Sequence, residues 1–431
     1  MIESIRHALQ EAGISVYLIR ETKTERVELY FIKKKLDMRR RVETERHQVV
    51  VYRDFEEAGE SYRGSATVLL QDGMEPEEMI RQLKQAYYAA SFARNRWYPL
   101  AGGTRIEEVK QLETNLSEDC EKNAEQVAAA VFAADTEQTV FLNTLEVFSS
   151  CEHARIVNSE GVDVSYRKFF VNGEFVAQCL EPQDVETYED FCYDTWEEQE
   201  LQEKVRRVLK LTKDRAAAVK APEAGEYTVI LSGKYVPTIL GYYRLRSEAS
   251  MVYQGYSRYK IGEDVQMAGE ETSVKGERLN LWLLATEPYS EEGIAMKDRC
   301  LLEDGKLKTY FGGCRFSHYL GTEPTGSYSK IKVKEGTTPF AEMKTGSYLH
   351  VVNFSDFQMD SLTGSFAGEI RLAYLCDGTK VTPVTGGSIN GMIGKAQKNF
   401  TFSKETQSGT KFCGPYAIRL EHVQVAGSTA K

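Results

Sequence analysis

Histidine and tryptophan are scarce in this chain, with six and three residues among 431. The shortage of histidine excludes more, because catalytic metal sites and general bases are so often built on imidazoles. None of the six histidines (His7, His47, His153, His318, His350, His422) is followed by glutamate, and no two lie within a helical turn or two of each other. A helix presenting two imidazoles to one zinc, with a glutamate beside the first as general base, is therefore excluded throughout the sequence. Eight cysteines are scattered without a Cys-x-x-Cys pair, so neither a disulfide scaffold nor a zinc ribbon is indicated. The one close Cys/His pair, Cys314 and His318 with Cys300 upstream, is not completed by a second pair. Cys413 has no local base to activate it as a nucleophile. Long apolar runs are also missing, since the longest helix-like one, Val127 to Ala134, falls far short of a membrane span. The amino terminus is charged and lacks an apolar signal core, and with free thiols this gives a cytoplasmic expectation. Basic residues are outnumbered, 54 against 64, and the net charge of −10 argues against nucleic acid as a partner. The basic run Met38-Arg-Arg-Arg41 reads instead as the solvent face of a strand, where charge blunts edge pairing.

Other catalytic signatures also fail. The glycine-rich stretch 386–395 has Ile389 where a phosphate loop needs its first glycine, and no Gly-x-Ser-x-Gly elbow occurs. The run Glu197-Glu-Gln-Glu200 reads as a solvated helix face.

What the chain has is length for two cores and a clear change of pattern along it. Ile2, Ile5, Ala8 and Leu9 at helical spacing open the chain, ended by Gly13. Alternation then predicts strands at 16–19, 27–32, 49–52 and 66–70, followed by a helix with Pro76 in its first turn. A second helix over 120–134 leads to strands at 140–148, 154–157 and 164–180, with Asn158-Ser-Glu-Gly161 as a hairpin turn. A helix over 188–218, acidic at its start and basic at its end, closes the first half, and 221–225 reads as a linker. Beyond it come a strand at 227–231, a helix at 235–246 and then mostly strands. The fold class is α+β. A two-layer domain of antiparallel sheet with helices spans 1–220, and a strand-rich barrel- or sandwich-like domain spans 226–431.

The last seventy-odd residues carry the most specific pattern. Ser361-Leu-Thr-Gly-Ser-Phe-Ala-Gly368 is followed by Pro383-Val-Thr-Gly-Gly-Ser-Ile-Asn-Gly391 and then by Val423-Gln-Val-Ala-Gly427, with Asp377-Gly378 and Asn390-Gly391 as turn dipeptides. In this order the segments resemble the carboxy-terminal domain of the TldD/PmbA family of metallopeptidase-related proteins, formerly labelled modulators of DNA gyrase. Gly64-Ser-Ala-Thr-Val, the Asn158-Ser-x-Gly turn, and Leu302-Glu-Asp-Gly-Lys-Leu ahead of Thr325-Gly326 extend the resemblance over most of the chain.

The resemblance implies a pairing of two similar subunits, a TldD-like paralogue or a second copy of the chain itself, around a chamber that cleaves unfolded peptides. Zinc is then held by the catalytic partner through His-Glu-x-x-x-His, on the helix after the first strand of the second domain. That position falls here near Gly241-Tyr-Tyr-Arg-Leu-Arg246, and Gly241, Tyr242 and Arg246 supply no ligand. The implied role is that of a PmbA-like (TldE-like) subunit with no catalytic or metal residue and no cofactor of its own. Tyrosines at 235, 242, 243, 253, 256 and 259 border the family's cleft. Tyr242 and Tyr243 are the candidates for gripping an extended peptide, and rings that merely cover half-buried surface are the preferred explanation of the cluster. A non-proteolytic interaction module of the gyrase-modulator type, or a hydrolase of unrecognised chemistry, are the competing classes.

Overall fold

A computed structural model describes residues 1–103, 105–267 and 273–427. The first half is built on one seven-stranded sheet. Tyr17–Ile32, Lys35–Glu57 and Glu60–Leu70 form an antiparallel meander. Val140–Asn158 pairs along the other side of the first strand, then Asp163–Cys179, and Val185–Tyr193 extends the sheet beyond it.

The segments expected as separate strands at 16–19 and 27–32 are one strand, as are those at 140–148 and 154–157. The polar stretches between them continue the ladder because their charges are neutralised by neighbours. Lys23 lies opposite Glu45 with its ammonium 3.1 Å from that carboxylate, and Glu21 lies opposite His47. Cross-strand pairs of this kind stabilise a sheet where isolated charges would fray it. Lys35–Arg46 pairs on one side only, so Arg39, Arg40 and Arg41 do sit on an exposed edge. Arg41 and Arg40 pair there with Glu25 and Glu28.

Two helix pairs cover one face of this sheet. Ile2–Glu11 and Pro76–Ala90 bury Ile5, Leu9, Met79 and Leu83 against Ile19, Val49 and Val157 at one end. Cys120–Ala133 and Glu198–Ala216 bury Val127, Val131, Leu201 and Val205 against Leu29, Leu145, Val147 and Phe175 at the other. Each such aliphatic side chain contributes about 1.5–3 kcal/mol by leaving water. The opposite face, with Leu18, Tyr52, Ile156 and Val164, packs on Tyr289 and Cys314 of the second half.

The helix expected over 188–218 begins only at Glu198. Its expected first turns are the strand Val185–Tyr193, in which Thr187, Glu189, Phe191 and Tyr193 are buried and the even-numbered residues are not. That alternation has period two, and the acidic composition concealed it. The dipole argument still holds for the true helix, with Glu198 and Glu200 in its first turn and Lys213 and Arg215 in its last.

In the second half, Ser347–Met359 pairs with both Gly225–Ser232 and Ser365–Asp377. Ala417–Ala426 and Ser388–Met392 complete the circuit, so these strands close into a barrel. Val219–Lys220, assigned from sequence to the first half, pairs with Val381–Thr385 on this sheet. A six-stranded sheet centred on Leu281–Leu284 and Lys330–Val333 shares one continuous core with the barrel and the helix Tyr235–Arg246. Asn390-Gly391, expected as a turn, lies inside Ser388–Met392. Gly391 is needed because a Cβ there would stand 2.3 Å from the Phe366 ring, and the chain turns instead at Gly386 and Gly387 with φ of 89° and 76°. No helix among the described residues is long and apolar enough to cross a membrane.

Candidate functional site

The helix Tyr235–Arg246 follows the barrel strand Gly225–Ser232 through a turn at Gly233, whose φ is +63°. Its inner face buries Val236, Ile239, Leu240 and Tyr243, which anchors it against the core. Its outer face, with Pro237, Thr238, Gly241 and Arg244, opens into a cavity of about 1280 Å³ between the two halves of the chain. The first half contributes strand Val185–Tyr193 and helix Glu198–Ala216 to this cleft, and the second contributes the segment 406–413.

This geometry separates the residues singled out by sequence. Gly241 does face the cleft, and no atom lies within 4 Å of where its Cβ would be. Tyr243 does not. It is fully buried and its hydroxyl donates to Gln397 Oε1 at 2.7 Å, so it cannot touch a peptide. Tyr242 is half-buried beside Tyr243 and the turn at Gly364, away from the cleft lining. The Arg246 guanidinium donates to the carbonyls of Tyr256, Ser361 and Leu362, tying the helix end to two loops. The helical period explains the division, since residues 242, 243 and 246 lie on the sides turned from 237, 241 and 244.

Lys234 and Glu189 cross the cleft, with the ammonium 3.0 Å from Glu189 Oε2, and Lys204 Nζ stands 3.4 Å from the other carboxylate oxygen. Burial pushes the Glu189 carboxyl up, but the two lysines and Arg207 more than offset it and leave its pKa below the ordinary value. Burial likewise opposes the charge of Lys234, and Glu189 outweighs it and raises its pKa. Arg244 donates to the Tyr328 carbonyl at 2.8 Å, and burial lowers its pKa. Burial pushes up the thiol of Cys192. Glu189 is thus held ionised as a structural anion and Cys192 is held protonated. Neither suits general-base or nucleophilic work near neutrality. The helix itself, Tyr-Val-Pro-Thr-Ile-Leu-Gly-Tyr-Tyr-Arg-Leu-Arg, contains no histidine, cysteine, aspartate or glutamate. What the cleft offers is a concave surface bordered by a strand edge. Among the described residues strand Val185–Tyr193 pairs on one side only, and its Glu186 and Asp190 carbonyls accept from Arg215 and Lys204.

Cys314 and His318 share the short helix Cys314–Tyr319, where Cys314 is buried with its amide donating to Glu292 and His318 packs against Trp97. The residues that could hold a metal lie elsewhere. Among the described residues, Glu21, Glu45 and His47 bring three such side chains together, with His47 Nε2 at 3.0 and 3.1 Å from the two carboxylates. Register across the meander creates this group, and composition does not reveal it. Two features fit a metal poorly. The Lys23 ammonium already neutralises Glu45, and among the described residues buried His47 Nδ1 has no acceptor to orient it as a ligating imidazole requires. The group is a partly buried polar network tied by Lys23.

Residues 224–427 match the family model described as PmbA/TldA metallopeptidase C-terminal domain. The whole chain is similar in structure to a proposed modulator of a DNA gyrase from Thermotoga maritima, at TM-score 0.76 and 16% identity over 99% of both chains. It is similar to TldE from Thermococcus kodakarensis at TM-score 0.75 and 16% identity, over 98% of this chain and 100% of that one. A third solved structure, a proposed modulator of DNA gyrase from Bacteroides thetaiotaomicron, gives 0.73 and 15% over 99% of both. At such identities the structural likeness establishes the fold, and no curated protein matches the sequence.

Proposed function

We propose that this chain, a member of the TldD/PmbA family through its carboxy-terminal domain, acts as a non-catalytic subunit. It binds unfolded peptide for a zinc-bearing paralogue. The observation that carries this reading is the cleft helix. It occupies the place where the family resemblance puts the zinc ligands, it presents Pro237, Thr238, Gly241 and Arg244, and it has no ligand or general base. Cleaving an amide needs an activated water and a polarised carbonyl, and these side chains supply neither.

Binding is a different matter. The one-sided strand Val185–Tyr193 beside an open cleft supports capture of an extended chain by main-chain hydrogen bonds, which would accept many sequences. Zinc, on this reading, belongs to the paralogue. The second reading, a regulator of DNA gyrase, draws on the names of two structural relatives. The net charge of −10 turns it toward a protein partner rather than DNA.

The test is a peptidase assay on an unfolded peptide, with this chain alone, a zinc-bearing paralogue from the same organism alone, and the two together. The expected result is no cleavage by the chain alone and faster cleavage by the mixture than by the paralogue. Chelator-sensitive cleavage by the isolated chain overturns the non-catalytic role. Paralogue activity unchanged by this chain overturns the partner role.

A further inference from the structure

A second cavity of about 840 Å³ continues the cleft, sharing Tyr188, Lys234 and Thr238 with it. It lies at the Val185 end of the open strand, between the end of helix Glu198–Ala216 and the barrel strands Ser347–Met359 and Ser365–Asp377. Two guanidinium groups line it, Arg215 from the last turn of the helix and Arg371 from the barrel. The two elements are held together one residue away from Arg215, where the Tyr374 hydroxyl donates to Asp214. Arg371 sits opposite the bulge in Ser347–Met359, between the paired positions Leu372/Asn353 and Ile370/Phe354.

Among the described residues neither arginine has a carboxylate within ion-pair distance. Arg215 instead donates to the Glu186 carbonyl of the open strand. Three carboxylates line the same cavity, and each is hydrogen-bonded to a neutral amide. Asp184 accepts from Gln178 at 2.8 Å, Glu186 from Asn143 at 3.1 Å and Asp356 from Gln358 at 2.8 Å. Burial, and after it the nearby charge of Arg371, hold the Arg215 pKa below its ordinary value. A carboxylate entering the cavity near both guanidiniums would be attracted by each of them. Planar guanidiniums pair best with planar, bidentate carboxylates.

We propose that Arg215 and Arg371 form a carboxylate-anchoring subsite at one end of the peptide cleft. Substrates are then peptides that carry a carboxylate, at the chain terminus or on a side chain, at the end lying against Val185. The inference rests on the reading of the cleft as a peptide groove, and it adds a polarity and a chemical preference to that groove. It involves no covalent step.

The test uses the full chain, alone and with the zinc-bearing paralogue, and fluorescence anisotropy of three labelled unfolded peptides. One lacks acidic residues and ends in a free carboxylate, one is the same sequence amidated, and one is amidated with a single glutamate at the last position. The free acid is expected to bind about tenfold or more tightly than the plain amide, the scale of a charge-assisted bidentate contact. That advantage should vanish in Arg371→Gln and in Arg215→Gln and survive in part in Arg371→Lys. Arg371 is solvent-exposed, so its variants should keep the wild-type melting curve, which makes the binding loss readable. Tight binding of the glutamate peptide as well identifies side-chain carboxylates as a second source. Equal binding of all three peptides to wild type overturns the subsite and leaves the peptide groove standing. No binding of any of them, alone or paired, overturns both.

Discussion

Gly241 shows how one residue can report on the use of a cleft. It sits within the helix Tyr235–Arg246, where glycine costs about 0.8–1 kcal/mol relative to alanine, and no neighbour crowds its missing Cβ. Packing therefore does not demand glycine there. Gly241→Ala is expected to raise the unfolding free energy by about 0.5–1 kcal/mol in urea titrations and to leave peptide capture unchanged. Gly241→Trp should keep the fold and weaken capture, because the indole would occupy the cavity that Thr238 and Arg244 border. Unchanged peptide binding in that variant would remove this face of the helix from the binding surface. Tyr243, by contrast, is a core residue, and a mutation there would measure stability rather than function.

At the scale of the element, strand Val185–Tyr193 decides how the cleft is built. It turns Thr187, Phe191 and Tyr193 inward, and from the same side Glu189 reaches Lys204 of the adjoining helix and Lys234 of the second half. Glu189 has its folded pKa depressed, so the stability it contributes is present above the unfolded value of about 4.3 and is lost as pH falls through the lower folded value. Glu189→Gln should destabilise the chain by about 1–2 kcal/mol near neutral pH, a figure reduced for the partial exposure of Lys234. The gap between variant and wild type should close as pH is taken below the ordinary carboxylate range. Unfolding titrations at several pH values check this, and a gap that stays constant into acid would show that the carboxylate's charge is not what holds the two elements.

At the scale of the whole molecule, the two halves are tied by several polar links besides Glu189. These include Lys168 to Glu287 at 3.2 Å, Arg20 to Glu291 at 3.0 Å, and Arg315 to Asn95 at 2.9 Å. The second half also leaves apolar side chains in water near the end of the cleft helix, among them Tyr256 and Leu362 at 53% and 54% exposure. Arg246 donates to the main-chain carbonyls of both residues, which ties their two loops to the helix end. Pairing with a second subunit is what the family resemblance implies, and it is testable at this scale. Light scattering at micromolar concentration should give twice 48.8 kDa for the chain alone, or a one-to-one complex when a zinc-bearing paralogue is added. A monomer under both conditions would count against the assembly.

Local chemistry was enough for much of this protein. The absence of paired histidines is a property of the sequence at every scale, and no folding can create the spacing that a zinc helix requires. Amphipathic periods located Ile2–Glu11, Pro76–Ala90 and Cys120–Ala133, and the Asn158 turn was legible because its side chain accepts from the Glu160 and Val162 amides within the same few residues. Where partners are distant in sequence, legibility ended. The strand at Val185–Tyr193 looked helical because its acidic composition masks the period-two burial, and its buried Glu189 is balanced by lysines from two other elements. Gly391 looked like a turn because the Phe366 ring that requires it arrives from another strand. Tyr243 could not be told from a cleft residue by its type, since one helical step decides whether a ring meets the core or the cavity. Arg215 and Arg371, 156 residues apart by their numbers, line one cavity only where helix and barrel pack. Periodicity and spacing fix what a segment can form, and long-range register and packing fix which side chains end up facing one another.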